Sequence, residues 1–268
     1  MNPSQRKLAP VRQGVAPLDV ITKSVIFAFA MTGADVRRFR QQAGWTQGRL
    51  AARLGATQAY LSLMESGRRR VPDRVVRRVA RLLKLPATAL PITSLTPFDP
   101  ATRDARVEEG LARLGYPGLA YRRKPGVARN PAELLLMALS LDDLDPRLAE
   151  ALPWLLLRFE GFDLEDLLAR AKALDLQNRL GFTVALAREV AERNHAYRHR
   201  RDELQRMEHA LEPSRLARED TYGRREPSDR MRAWLRESRS AAAKHWNVLT
   251  DLKPEHLPYA HQDPRALA

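Results

Sequence analysis

The chain has no cysteine among its 268 residues. That excludes disulfides and thiolate metal sites, and it fits a reducing, cytoplasmic setting. Also missing is any stretch near the roughly 18 apolar residues expected of a membrane span, so no membrane partner is expected. Alternation of apolar and polar residues with period two is absent over any useful length, which leaves no basis for a sheet. Acidic residues are outnumbered: 32 Asp+Glu stand against 46 Lys+Arg, for a formal net charge of +14. Neither a phosphate-cradling glycine loop nor a nucleophile elbow appears. What remains is a helical chain with a basic excess and no visible catalytic motif.

The basic excess is localised. Residues 31–90 hold 13 Lys+Arg and 3 Asp+Glu, a net of +10. Localised positive charge is what phosphate neutralisation and counterion release require.

The same region carries the clearest motif, WTQGRLAARLGATQAYLSLMESGRR from Trp45 to Arg69. Val36, Phe39 and Ala43 recur at helical spacing before it, so a helix is expected from about Gly33 to Ala43. Gly44 suits a left-handed cap. Thr46 suits an N-cap for a second helix with Leu50, Ala51 and Leu54 buried. Gly55 ends that helix, and Thr57 caps a third whose buried face is Leu61 and Met64. Gly67 ends the third. Pro72 and Asp73 open a fourth, with a stripe of Val75, Val76, Val79, Ala80, Leu82 and Leu83. Two short helices across a tight glycine turn, followed by arginines, are the layout of a helix-turn-helix module that sets one helix in the DNA major groove.

Thr46-Gln47, Leu50-Ala51, Leu54-Gly55, Leu61-Ser62 and Glu65-Ser66-Gly67-Arg68 resemble the Cro/repressor type of helix-turn-helix found in phage repressors and bacterial regulators. The resemblance covers roughly residues 35 to 90. It implies that Gln58, Ala59 and Leu63 face base edges; Gln suits adenine, and Ala or Leu suits a thymine methyl. It implies backbone contacts from Gln47, Thr57, Tyr60 and Ser62. It further implies a structural pair, Arg40 with Glu65, tying the first helix to the third. Arg68, Arg69 and Arg70 follow the recognition helix and suit phosphate contact, although a charge run by itself is a solvated loop. Arg77, Arg78 and Arg81 read as a solvated helix face. Gly48 departs from the pattern, and a glycine in that turn costs on the order of 1 kcal/mol.

The first thirty residues offer Arg6, Lys7 and Arg12 as a basic n-region and Ala28-Phe29-Ala30 as a cleavage site. The uninterrupted apolar run from Val25 to Ala30 is too short for that. A simpler reading is a mis-called extension with Met31 as the true start; otherwise the segment is disordered or packs on the module.

Downstream, prolines mark a linker over 91–103. A second helical domain is expected over 104–212. It comprises a helix over 104–114, a loop to Asn130, and a buried helix through Leu134 to Leu141. Helices capped by Asp145 and Asp163 follow, and then one long helix from about Asp175 to Leu211. In that helix Val190, Tyr197, Leu204 and Leu211 fall seven apart, which suits a seam against another helix. The partner is either the same chain or a second copy. The segment AKALDLQNRLGFTVALA, Ala171 to Ala187, resembles a stretch in some bacterial antitoxin-like regulators. Its Asp175, Gln177, Asn178 and Arg179 either cap a helix junction or form a ligand or partner site. Residues 213–268 read as a charged tail with one helix carrying Met231, Trp234, Leu235, Ala242 and Trp246, and with a disordered end after 251.

Enzymatic constellations are weak. His195 and His199 share a helical spacing but lack the intervening glutamate of a metalloprotease. Asp142, Asp143 and Asp145 look like turn and cap residues. Asp163, Glu165 and Asp166 sit in a helix first turn, where acids complement the dipole. The sequence therefore points to an all-α, two-domain, non-enzymatic protein that binds double-stranded operator DNA as a repressor. No cofactor or metal is expected. A homodimer is expected, and a toxin partner would make it the antitoxin that represses its own operon. The rival is a nuclease or transferase targeted to nucleic acid by the same module.

Overall fold

The computed structural model describes residues 31–92, 102–122, 129–225 and 227–261. The expectations for residues 1–30, for most of the 91–103 linker and for 262–268 lie outside them. Twelve α-helices and two very short strands make up the described chain.

The N-terminal unit is built by threonines. Thr32 caps α1 (Gly33–Gln42): its hydroxyl accepts from Asp35 N, and the Asp35 carboxylate accepts from Thr32 N. This reciprocal box satisfies two otherwise orphaned amides. Thr46 caps α2 (Gln47–Leu54) and Thr57 caps α3 (Gln58–Glu65) one-sidedly, their hydroxyls accepting from Arg49 N and Tyr60 N. Between α2 and α3 the chain turns at Gly55, whose φ of 67° is left-handed and is open to glycine at little cost. α4 (Asp73–Leu82) closes the unit. Val36, Leu50, Ala51, Leu61, Met64, Val76 and Val79 form its core.

The C-terminal body has a separate core. α5 (Arg103–Leu114) contributes Val107 and Leu111, both fully buried. All nine residues of α6 (Pro131–Leu139) are buried. α7 (Pro146–Arg158) and α8 (Leu164–Ala173) start at Asp145 and Asp163, whose carboxylates accept from backbone amides. At the centre lies α9 (Gln177–Arg193), against which α6, α7 and α8 pack.

The single long helix expected from Asp175 to Leu211 is two helices. α9 stops at Asn194, whose Oδ1 accepts from Ala196 N while its amide donates to Ala260 O at 3.1 Å. A 3-10 turn, His195–Arg200, follows, and α10 (Arg201–Leu211) folds back along α9. An asparagine that hydrogen-bonds its own backbone competes with the helix ladder. The seam residues Val190, Tyr197, Leu204 and Leu211 are all buried inside this chain. They are therefore spent on an intramolecular contact.

The region after 212 is packed rather than free through residue 261. β1 (Asp220–Thr221) and β2 (Val248–Leu249) pair in parallel, a small departure from the all-helical expectation. α11 (Asp229–Ser238) and α12 (Ala241–His245) lie between them. Trp246, Leu257 and Tyr259 are buried in the main core. Trp246 lies against Gly181 of α9, where a Cβ would sit 2.2 Å from the indole. Tyr259 donates its hydroxyl hydrogen to Glu150 O at 2.8 Å. Asn178 donates to Leu216 O and Arg218 O and accepts from Leu216 N. Arg179 donates to Leu139 O and to Asp220. These buried hydrogen bonds staple the 216–220 segment to α9, although Arg179 Nε and Gln177 Oε1 are buried without a partner among the described residues.

The two units touch through a 3-10 turn, Ala87–Ala89. Asn130 donates to Thr88 O and Leu90 O, and Thr88 donates to Glu160 O at 2.9 Å. Residues 86–92 are thus docked on the body.

Candidate nucleic-acid interface

α3 has an inner and an outer face. Leu61 and Met64 point into the core with no exposed surface. Gln58, Ala59, Ser62 and Leu63 are exposed, and Leu63 keeps 41% of its surface open. The spacing i, i+1, i+4, i+5 sets these four side by side. The face combines an amide with apolar groups, the chemistry that reads adenine edges and thymine methyls in a major groove.

The helix is held rigidly at its far end. Arg40 grips Glu65 with two hydrogen bonds, Nε to Oε1 at 2.7 Å and Nη2 to Oε2 at 2.8 Å. Its third nitrogen donates to Trp45 O at 2.8 Å. Gln47 adds a bond from Nε2 to Glu65 Oε2 at 2.9 Å. One carboxylate thus ties α1, the start of α2 and the end of α3 together. Burial alone would push the Glu65 carboxyl up. The hydrogen bonds from Arg40 and Gln47 and the Arg40 charge outweigh it and hold the group below the usual carboxylate range. The same hydrogen bond raises Arg40. Gln47 spends one amide hydrogen on Glu65, so a single hydrogen remains for a phosphate.

The other named residues divide. Thr57 is exposed with its oxygen committed to the cap. Tyr60 is half-buried, and the Arg69 guanidinium lies 4.6 Å from its ring centroid. Tyr60 is therefore a platform that positions Arg69. Arg68, Arg69 and Arg70 are all exposed. The motif reading missed Arg49, whose guanidinium lies 4.3 Å from the Trp45 ring on the first turn of α2. The four-residue spacing from Trp45 to Arg49 was the available signal.

Ion pairing separates the units. Among the described residues, the N-terminal unit has two ion pairs, Arg38–Asp35 and Arg40–Glu65. Arg37, Arg49, Arg53 and Arg68 through Arg70 have none. In the body, by contrast, Arg113, Arg170, Arg179, Arg188, Arg193 and Arg200 all meet carboxylates. Among the described residues, the arginines that follow α3, Arg68 to Arg70, thus carry no ion pair.

Residues 33–91 match the family model of a helix-turn-helix domain. The match covers under a quarter of the chain and contains every residue of the interface described above. A helix-turn-helix domain is a DNA-binding module, and α2 and α3 stand in the places of its two helices, the second of which enters the major groove in such modules. No curated protein and no solved structure shows significant similarity to the chain.

His195 and His199 lie on the 3-10 turn after α9, and His199 stands 3.5 Å from Glu160. Asp145 and Asp163 are helix caps. Among the described residues no group of three or more His, Asp or Glu is arranged to hold a metal ion. No helix among them is long and apolar enough to cross a membrane.

Proposed function

We propose that this protein is a sequence-specific double-stranded DNA-binding regulator of transcription that represses by occupying its operator. The observation that carries this reading is the exposed Gln58, Ala59, Ser62 and Leu63 face on a helix braced by the Arg40–Glu65–Gln47 cluster. The reading assigns the chain no catalytic activity and no cofactor. Asp145 and Asp163, two of the acidic residues weighed for an enzymatic site, serve as helix caps. An antitoxin role drew on the segment 171–187, which is largely buried in the body's core and supplies no free docking face there. One helix-turn-helix covers a half-site, so a homodimer on a palindromic operator fits the reading. Its contact must lie outside the 190–211 seam.

The test is selection of a preferred duplex from a random pool by the full-length protein, followed by Gln58→Ala. The variant should bind the selected site more weakly by about 1–3 kcal/mol while keeping its affinity for random duplex. An equal loss on both would remove Gln58 from base reading. Failure to select any duplex would remove the function itself.

A further inference from the structure

α4 carries Arg74, Arg77, Arg78 and Arg81, all exposed. Their spacing puts them on one face of the helix. Arg74, Arg78 and Arg81 line one shallow depression together with Leu82. Arg74 and Arg78 also line a groove with Thr57 and Tyr60, at the start of the reading helix. The stripe therefore begins beside α3 and runs for about 10 Å, seven residues at 1.5 Å each. None of the four has an ion-pair partner among the described residues, where the only pairs of this unit are Arg38–Asp35 and Arg40–Glu65. Like charges three and four residues apart destabilise a helix. A protein whose body arginines are so often matched with carboxylates leaves this face unmatched.

We propose that the α4 stripe is a second contact to the DNA backbone, gripping phosphates that flank the half-site read by α3. It rests on the reading that α3 binds duplex DNA. The groove shared by Arg74, Arg78, Thr57 and Tyr60 makes the two surfaces continuous, so one duplex can touch both. A duplex carries one phosphate charge per about 1.7 Å of axis, enough to meet several arginines over 10 Å. An acidic protein is the weaker fit along the stripe itself, where Leu82 is the one apolar residue beside Arg74, Arg78 and Arg81, because protein interfaces have an apolar or aromatic centre.

The experiment uses full-length protein carrying Arg74→Gln, Arg78→Gln and Arg81→Gln together. Binding to the selected site is titrated against salt, and the backbone is footprinted with hydroxyl radicals. Each lost phosphate contact makes the slope of log K against log salt shallower by about 0.9, so the triple variant should lose about 2–3. Between 50 and 200 mM salt its affinity should then fall roughly 40-fold less than that of the wild type. Flanking protection should disappear while base preference stays. The Arg→Lys triple should restore slope and flank, since lysine keeps the charge. A melting temperature equal to or above wild type shows that the change is not unfolding. An unchanged slope and footprint, with the wild type still binding its selected site, overturns the stripe alone. A wild type that selects no duplex overturns the α3 reading instead.

Discussion

Two glycines in neighbouring helices have opposite duties. At Gly33 an added Cβ would lie 1.6 Å from Met64 O, so α1 starts directly on the backbone of the reading helix. No flexible side chain can yield there. At Gly48 the nearest atom is Gln58 Oε1 at 3.8 Å, an ordinary contact. Helix propensity alone favours alanine by about 1 kcal/mol at either position. Gly33→Ala should nevertheless lower the melting temperature of the helix-turn-helix domain, whereas Gly48→Ala should raise its stability by about 0.5–1 kcal/mol. Equal shifts in thermal melts would show that α1 does not rest on α3. The departure of Gly48 from the family pattern is thus a small loss of stability with no steric reason. Glu65 makes a sharper case. Its side chain is 2% exposed and that of Arg40 9%. Breaking a buried pair by removing one partner costs about 3–5 kcal/mol, so Glu65→Gln should largely unfold this domain at neutral pH. Its folded pKa is lowered, so the pair's contribution is fully present above the unfolded carboxylate value of about 4.3. It is lost as pH falls through the lower folded value. Wild type and Glu65→Gln should therefore converge in stability in acid and diverge above about pH 5; parallel curves would show that the pair contributes nothing.

At the scale of elements, the four N-terminal helices were legible because each announces its own ends. Thr46 and Thr57 cap, Gly55 turns, and Leu50, Leu54, Leu61 and Met64 repeat at helical spacing. All of those signals are local. The break at Asn194 was not legible in the same way, because apolar residues keep helical register on both sides of it. What ends α9 is a side chain bonding to Ala196 N and to the carbonyl of Ala260. The second of those partners is far away in sequence. The repeat of seven was real, but its meaning depended on that break. With it, the residues face the body's own core. The arginine stripe of α4 is a different case: its spacing was visible, but its closeness to Thr57 and Tyr60 exists only after α2, α3 and α4 pack. Gln58, Ala59 and Leu63 were named from the family resemblance, and the structure leaves them exposed on the side of α3 away from the buried Leu61 and Met64.

At the scale of the whole molecule, two apolar clusters share no residue. They meet through the Thr88 turn and the amide of Asn130. The body's cluster is completed from the C-terminal region, where helices are short and apolar residues sparse. Trp246 supplies the largest piece and fits only because residue 181 is glycine. Its indole N–H has no partner among the described residues, so truncation to alanine sacrifices packing and little else. Trp246→Ala should cost about 3–5 kcal/mol, the range for emptying a large aromatic site. The loss should appear in one unit. Native-state hydrogen exchange read by peptides should quicken across 129–225 and 227–261 and stay unchanged across 33–83. The variant should still bind duplex DNA under native conditions. Faster exchange in both regions to the same degree would mean that the Thr88–Asn130 junction couples the two cores into a single cooperative unit. No change anywhere would mean that the C-terminal region lies on the body without supporting it, contrary to the burial of Trp246, Leu257 and Tyr259. The expected split would make the body a platform whose stability can be altered without touching α3. It would follow from two apolar clusters that share no residue and are joined by hydrogen bonds at the Thr88 turn.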